Sequence, residues 1–369
     1  MWALYSSQVE NFYLNALTFA TIIAIFAHIF TIIIAIFCTP REMTNYRLTM
    51  TNTTTWSLLM VMHYGILFRP VPLFPATVGK ATGWLSSLGP YYGGQIPFVL
   101  MIFFATNFLV AAIICFSVIC LFIIEMKQFE KITKMNTILG IFIAVFIHLA
   151  ASIILLISMT KYYTLIPDIK IIAFDEYPFL REIIQNDEVV LFGYTYNDSR
   201  NMSRVTFLLL FNTTVIVLLL FSLLIKRIWL DVRSKKFSRR HHRTAVAMLT
   251  ARVFVPLFLG FLPMMLITGA HSIGYSYEFS INCFLLILAI SHGTFNTIST
   301  VAVFNPYRRG VIGFIRRYFP SFISDKLGLS VADNDAYKSY ITESLTYRNI
   351  ETINADDTRK CKTTPQNID

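Results

Sequence analysis

The strongest constraint on this chain is a series of seven apolar runs, each close in length to the thickness of a lipid bilayer. A helix needs about 20 mostly apolar residues to cross the hydrocarbon layer, where every backbone amide must be satisfied inside the segment. The runs cover residues 14–37, 48–68, 97–124, 137–158, 205–225, 245–267 and 279–304. They predict an all-α membrane protein, a bundle of seven transmembrane helices. The second run carries the weakest signal, because Thr49, Thr51, Asn52, Thr53, Thr54 and Thr55 crowd its start. Trp56 to Phe68 completes it, which places the threonines at the interface or against a neighbouring helix. Residues 1–13 lack a basic leader, so the first run is read as a helix rather than a cleaved signal.

Composition agrees. The chain is 55% hydrophobic and 14% charged, whereas soluble domains carry about a quarter charged residues. Its 33 phenylalanines suit helices facing lipid. The net charge of +10 suggests nucleic acid only until its placement is considered. Segment 226–243 holds eight basic residues against Asp231 alone, while segment 161–204 holds five basic and seven acidic ones. The positive-inside bias then puts segment 226–243 and the C-terminus in the cytoplasm and the N-terminus outside. Residues 1–13 become a short extracellular N-terminus, 14–319 the membrane domain, and 320–369 a polar cytoplasmic tail expected to be disordered. The glycosylation sequons at Asn197 and Asn201 fall in the loop read as extracellular. From Tyr307 to Phe319 basic and apolar clusters alternate at helical spacing, which predicts a short amphipathic helix in the inner interface.

No enzyme signature is present: there is no phosphate-binding glycine loop, no HExxH and no GxSxG. The five cysteines show no metal-type pairing, and no cofactor is implied. Polar residues inside the runs carry more information, because they are costly in lipid and face the bundle interior. They are His63, Asn107, His148, Asn212, Arg252, Asn282, His292 and Asn296. For each histidine a packed helix contact competes with a ligand role. For Arg252, reaching back to the interface competes with a buried switch role. Pro256 and Pro263 both fall in the sixth run, where proline removes a backbone hydrogen bond and kinks the helix.

Three stretches resemble one family. Cys38 to Met43 follows the first run with a Thr-Pro pair, and Pro72-Leu73-Phe74-Pro75-Ala76 follows the second. His292-Gly293, Ser299-Thr300 and Asn305-Pro306-Tyr307-Arg308 close the seventh. Together the chain resembles the nematode chemosensory G-protein-coupled receptors of serpentine receptor class H. The resemblance implies a small-molecule ligand held between the outer halves of the helices, with segment 161–204 as a lid. It also implies a heterotrimeric G protein and membrane lipids as partners, no nucleic acid, and a place in the plasma membrane of sensory cilia. By polarity and depth, His63, Asn107, His271 and Asn282 are the candidates for ligand binding. Candidates for coupling and switching are Glu125, Lys127, Arg252, Pro256, Pro263, Asn305, Pro306, Tyr307 and Arg308. The chain departs from the family in placing Lys127 where arginine is usual, which keeps charge but loses the planar guanidinium. Segment 161–204 contains no cysteine, so it cannot form the disulfide to the third helix that is common in rhodopsin-like receptors. A polytopic transporter or ligand-gated channel is the alternative; the odd number of runs and the absence of internal repeats oppose it.

Overall fold

The computed structural model describes residues 5–39, 44–73, 78–124, 137–160, 166–178, 180–184, 189–233, 239–275 and 277–318. The chain divides into two compact units, Met1–Asn305 and Pro306–Asp369. The first is a helical bundle. Its helices are α1 Ser7–Cys38, α2 Thr44–Met62, α3 Ile96–Ile124, α4 Thr137–Thr160, α7 Tyr196–Arg233, a sixth span in two halves, and α10 Phe279–Val303. The sixth span consists of α8 Arg239–Pro256, a π turn Leu257–Phe261 and α9 Leu262–Ser272. Short helices α5 Ile166–Glu176 and α6 Leu180–Ile183 lie between the fourth and fifth spans. Large apolar side chains such as Phe19, Phe26, Phe142 and Phe146 stand on the outside of the bundle, a surface suited to lipid and not to water.

Among the described residues, six of these helices are long and apolar enough to cross a membrane; α2 is the exception. It is nevertheless a full member of the bundle, packed against α1 and α3. Its buried residues Tyr46, Met50, Thr53, Thr54, Ser57 and Val61 recur every three or four positions and form a single stripe. The threonines of that stripe turn their hydroxyls onto carbonyls. Thr54 donates to Met50 O at 2.9 Å, and Thr53 reaches both Thr49 O at 2.9 Å and Ala111 O of α3 at 3.0 Å. Polar atoms satisfied in this way can be buried between helices, so the run reads as weakly hydrophobic and still lies in the interior.

The all-α expectation gains one addition, a three-stranded antiparallel sheet over one end of the bundle. Strands β1 Pro70–Pro72, β2 Val78–Ala81 and β3 Val190–Gly193 lie in the order β1-β2-β3. Pro70 pairs with Ala81, and Val78 pairs with Gly193. Ile169, Ala173, Leu180 and Ile184 of the α5–α6 segment pack on Leu73, Val78 and Leu191. The segment between the fourth and fifth spans is therefore a folded cap with its own small core.

Helices α1 and α7 start well before their apolar runs, for reasons the structure shows. Helix α1 begins at Ser7 because Glu10, in its first turn, meets Lys80 of β2 at 2.5 Å and accepts the Tyr5 hydroxyl. An acid is favoured at that position by the helix dipole. Burial and the Glu10 carboxylate hold the Tyr5 phenol well above its ordinary pKa, so it stays the donor. Helix α7 begins at Tyr196 because Thr195 and Asp198 form reciprocal cap bonds, Thr195 Oγ1 to Asp198 Oδ2 at 2.6 Å and Asp198 N to Thr195 Oγ1 at 3.3 Å. The sequons at Asn197 and Asn201 thus lie in the first turns of a helix. Helix α11 Asn305–Tyr318, whose residues from Pro306 onward belong to the second unit, matches the expected amphipathic helix, with Arg308 and Arg309 exposed. The tail 320–369 lies outside the described residues.

Candidate functional site

The sixth span is interrupted where its sequence demands it. Pro256 lacks an amide proton and its ring crowds the preceding turn, so a regular helix cannot continue through it. The following π turn absorbs the mismatch. Pro263 sits at the start of α9, where a missing amide proton costs little. Gly260 lies within the π turn, and a Cβ there would lie 3.0 Å from Cγ of His292. The imidazole of α10 therefore rests directly on the backbone of the break.

His292 and Gly293 have separate jobs on α10. The His292 ring packs edge-on to Phe108 of α3 at 5.1 Å, with Nδ1 against Ala289 O. At Gly293 a Cβ would stand 2.3 Å from Ser57 Oγ of α2 and 3.4 Å from His28 Nε2 of α1. His28 is fully buried, with Nδ1 2.6 Å from Ala24 O and Nε2 2.7 Å from Ser57 Oγ. A carbonyl only accepts, so in the neutral ring the proton sits on Nδ1 and Nε2 accepts from the serine. These two positions of α10 bring α1, α2, α3 and the sixth-span break into one polar centre. His28 and Ser57 were not among the sequence candidates. The available signal was a histidine in the middle of an otherwise apolar run.

The four ligand-binding candidates each engage a different neighbour. His63, in the π turn His63–Phe68 that ends α2, has Nε2 2.8 Å from Pro97 O and stacks on Phe68. Asn107 joins α3 to α4 and α2. Its Oδ1 lies 2.8 Å from His148 Nδ1, its Nδ2 donates to Ser152 at 3.1 Å, and His148 Nε2 lies 3.2 Å from Asn52. Trp56 stacks on the same imidazole at 5.4 Å. His271 ends the sixth span 3.2 Å from Ser199 of α7, where Arg200 and Arg204 donate to Ser272 O at 3.0 and 3.2 Å. Two cations at a helix C-terminus are well placed against its dipole. Asn282 folds back to Tyr277 O at 2.9 Å, holding the start of α10.

Of the switch candidates, Arg252 is the most informative. It sits one turn before Pro256, and its guanidinium turns to α2, where it contacts Met50 Sδ and lies beside Tyr46. Tyr46 in turn meets Phe304, beyond α10, at 5.5 Å edge to face. The lower half of the sixth span is thus tied to α2 just before its break. Pro306 and Arg308 stand at the start of α11 with Asn305 and the buried Tyr307. Glu125 and Lys127 lie outside the described residues.

At the capped end, a hydrogen bond and a strand ladder hold the loop that has no cysteine. Gln95, at the end of the π turn Pro90–Gln95, accepts Gly193 N–H at 3.3 Å, while β3 pairs along β2. Phe98 lies 5.0 Å from Phe192 and 5.5 Å from Tyr194, centroid to centroid. A narrow cleft between α5 and the sheet, lined by Val78, Ile169, Ala173, Tyr177 and Tyr194, has essentially no enclosed volume and is no small-molecule site as it stands. Among the described residues no group of three His, Cys, Asp or Glu side chains is arranged to hold a metal ion.

Nothing among curated proteins matches the chain. The family described as serpentine type 7TM GPCR chemoreceptor Srh matches residues 8–317, from the first turn of α1 to the end of α11. With that match covering most of its length, the chain belongs to the Srh family of serpentine seven-transmembrane G-protein-coupled chemoreceptors.

Proposed function

We propose that the chain detects a small-molecule cue at its capped end and signals to a heterotrimeric G protein on the cytoplasmic side. Its proposed location is the plasma membrane of a sensory cilium, with the N-terminus outside and Asn197 and Asn201 on the glycosylated face. The observation that carries the reading is the construction of the sixth span. Its lower half is held by Arg252 to Met50 beside Tyr46, its middle is broken at Pro256–Phe261, and its upper end is held by Arg200 and Arg204 at Ser272. A helix fixed at both ends and broken between them has two arrangements to choose from. Agonist shifts the balance toward the one with the lower half released. His63, Asn107, His271 and Asn282 are proposed to sense the ligand directly or through their helix partners. Glu125, Lys127 and the basic segment 226–243 are proposed to meet the G protein, and Asn305 to Arg308 to shape the approach to α11.

Epitope tags at both termini in intact cells, read alongside G-protein activation by an odorant panel, test this. An exposed N-terminal tag, a hidden C-terminal tag and agonist-dependent activation are expected; a hidden N-terminal tag overturns it. Arg252→Met removes the tie while keeping bulk against Met50. It should raise ligand-independent activation several-fold at unchanged surface expression, and unchanged basal activation removes Arg252 from the switch.

A further inference from the structure

Two buried donors at the capped end have no hydrogen-bond partner among the described residues: Arg69 Nε, whose guanidinium is otherwise held by Leu14 O and Thr18, and Gln95 Nε2. Gln95 is 1% exposed. Its Oε1 accepts Gly193 N–H, which holds the amide in one orientation, and its Nε2 is enclosed with no hydrogen-bond partner among the described residues. Rotating the amide would pair Nε2 with nothing better and would strip Gly193 of its acceptor. Buried donors are almost always satisfied, because an unmade bond carries the full desolvation cost of the group.

The surroundings of this donor are chemically uniform. Gln95, Phe98 and Met101 follow one another at three-residue steps, the spacing that places side chains on one helix face. Phe98 meets Phe192 and Tyr194, and Phe192 meets Phe68 at 4.7 Å. Met101 packs on the cap cluster of Phe68, Ala81, Val190 and Phe192 and also on the cluster of Tyr13, Tyr64 and Phe279 in the bundle. The charged side chains of this end are engaged elsewhere: Glu10 meets Lys80, and Arg69 donates to Leu14 O and Thr18 on α1, while His63 has its Nε2 at Pro97 O.

We propose that Gln95 Nε2 is the hydrogen-bond donor of the ligand seat, and that the ligand is a neutral, largely hydrocarbon molecule with one acceptor oxygen such as a carbonyl. This rests on reading the chain as a small-molecule receptor and names the ligand class for that reading. A charged ligand there would lose its hydration against Phe98, Phe192 and Met101, none of which can replace it. The oxygen sits on Nε2, and the hydrocarbon lies against Phe98, Phe192 and Met101. Seating it parts Phe98 from Phe192, which moves β3 on one side and presses Met101 toward α1 and α10 on the other.

The test uses the full-length receptor in lipid nanodiscs and reads the shift in unfolding temperature. The probes are medium-chain methyl ketones, the matching alkanes, alkylamines and fatty carboxylates. Ketones are expected to stabilise the protein more than alkanes, with an affinity advantage of about tenfold that disappears in Gln95→Met while alkane binding persists. Selectivity is the decisive readout, since a merely structural loss would lower stability with every probe alike. A ketone advantage that survives Gln95→Met overturns the proposal. Stabilisation by amines or carboxylates instead also overturns it, and leaves the receptor reading intact if those probes activate G protein. If Gln95→Met does not fold, Phe98→Ala should shift the preference toward bulkier ketones, and an unchanged preference overturns the seat.

Discussion

Helices α2 and α4 invert the usual relation between hydrophobicity and burial. Helix α4 is apolar apart from His148, Ser152 and a few residues at its ends, and none of its Gly140–Ile157 stretch is buried within the protein. Helix α2 is crowded with threonine, fails as a membrane span by composition, and lies between α1 and α3 with Thr53, Thr54 and Ser57 almost fully buried. In water the apolar helix would be the inner one. In a bilayer the lipid is as apolar as leucine, so hydrophobicity marks the face turned outward, and small polar residues mark close helix packing. The weakest run in the sequence is therefore the one that organises the interior.

The largest expected effect breaks α4 on its lipid face. Leu149 lies near the middle of the span and is 56% exposed. Leu149→Arg should cost about 3 kcal/mol of membrane insertion, the value for arginine near a helix centre. Glycosylation-mapped insertion of the span measures it, with Leu149→Val as a near-neutral control. An arginine tolerated there would mean that the face meets protein or water instead of lipid.

The interior should respond to volume where α4 responds to charge. Gly293→Val would push a side chain onto Ser57 Oγ, 2.3 Å from the first added carbon, and against the His28 ring. Overpacking of this kind costs about 1–3 kcal/mol. Unfolding in bicelles should show the loss, and Ser57→Gly in the same chain should recover part of it by opening the space. Failure of that rescue would place the strain somewhere other than the α2–α10 contact.

The same inversion explains what could be read from the sequence. Six spans, the amphipathic α11 and the sixth-span break were legible because apolar length and proline act locally. The closing His292-Gly293 pair was legible as a family resemblance, but its physical reason was not. Gly293 matters because His28 and Ser57 arrive from helices more than two hundred residues earlier in the chain. Arg252 could be recognised as an intramembrane cation, yet its neighbours Tyr46 and Met50 depend on how α2 and α8 meet. Gln95 gave no signal, since a glutamine at the edge of an apolar run normally reads as an interface residue. The early starts of α1 and α7 were hidden for a related reason: Lys80 and Thr195 stabilise first turns that have too little apolar length of their own to be noticed.

The smallest expected effect is the most discriminating one, because it tests whether the threonines of α2 hold helices together or only tolerate burial. Thr53 Oγ1 reaches two carbonyls, Thr49 O in its own helix at 2.9 Å and Ala111 O of α3 at 3.0 Å. Thr53→Val keeps the shape and removes both bonds, but Thr49 O retains its place in the helix ladder, so only the bond to Ala111 is an interhelical loss. Interhelical hydrogen bonds in membranes average about 0.6 kcal/mol, so the variant should lose about that much in bicelle unfolding. Thr18→Val on α1 supplies the comparison, since Thr18 Oγ1 bonds Leu14 O at 2.8 Å within its own helix. That hydroxyl also accepts from Arg69 at 3.0 Å, so the pair is read together with Arg69→Lys, which keeps the charge and loses the fork. A Thr53→Val loss greater than that of Thr18→Val assigns the hydroxyl to helix association. Equal losses would mean that α2 is held in the interior by the shape of its stripe alone.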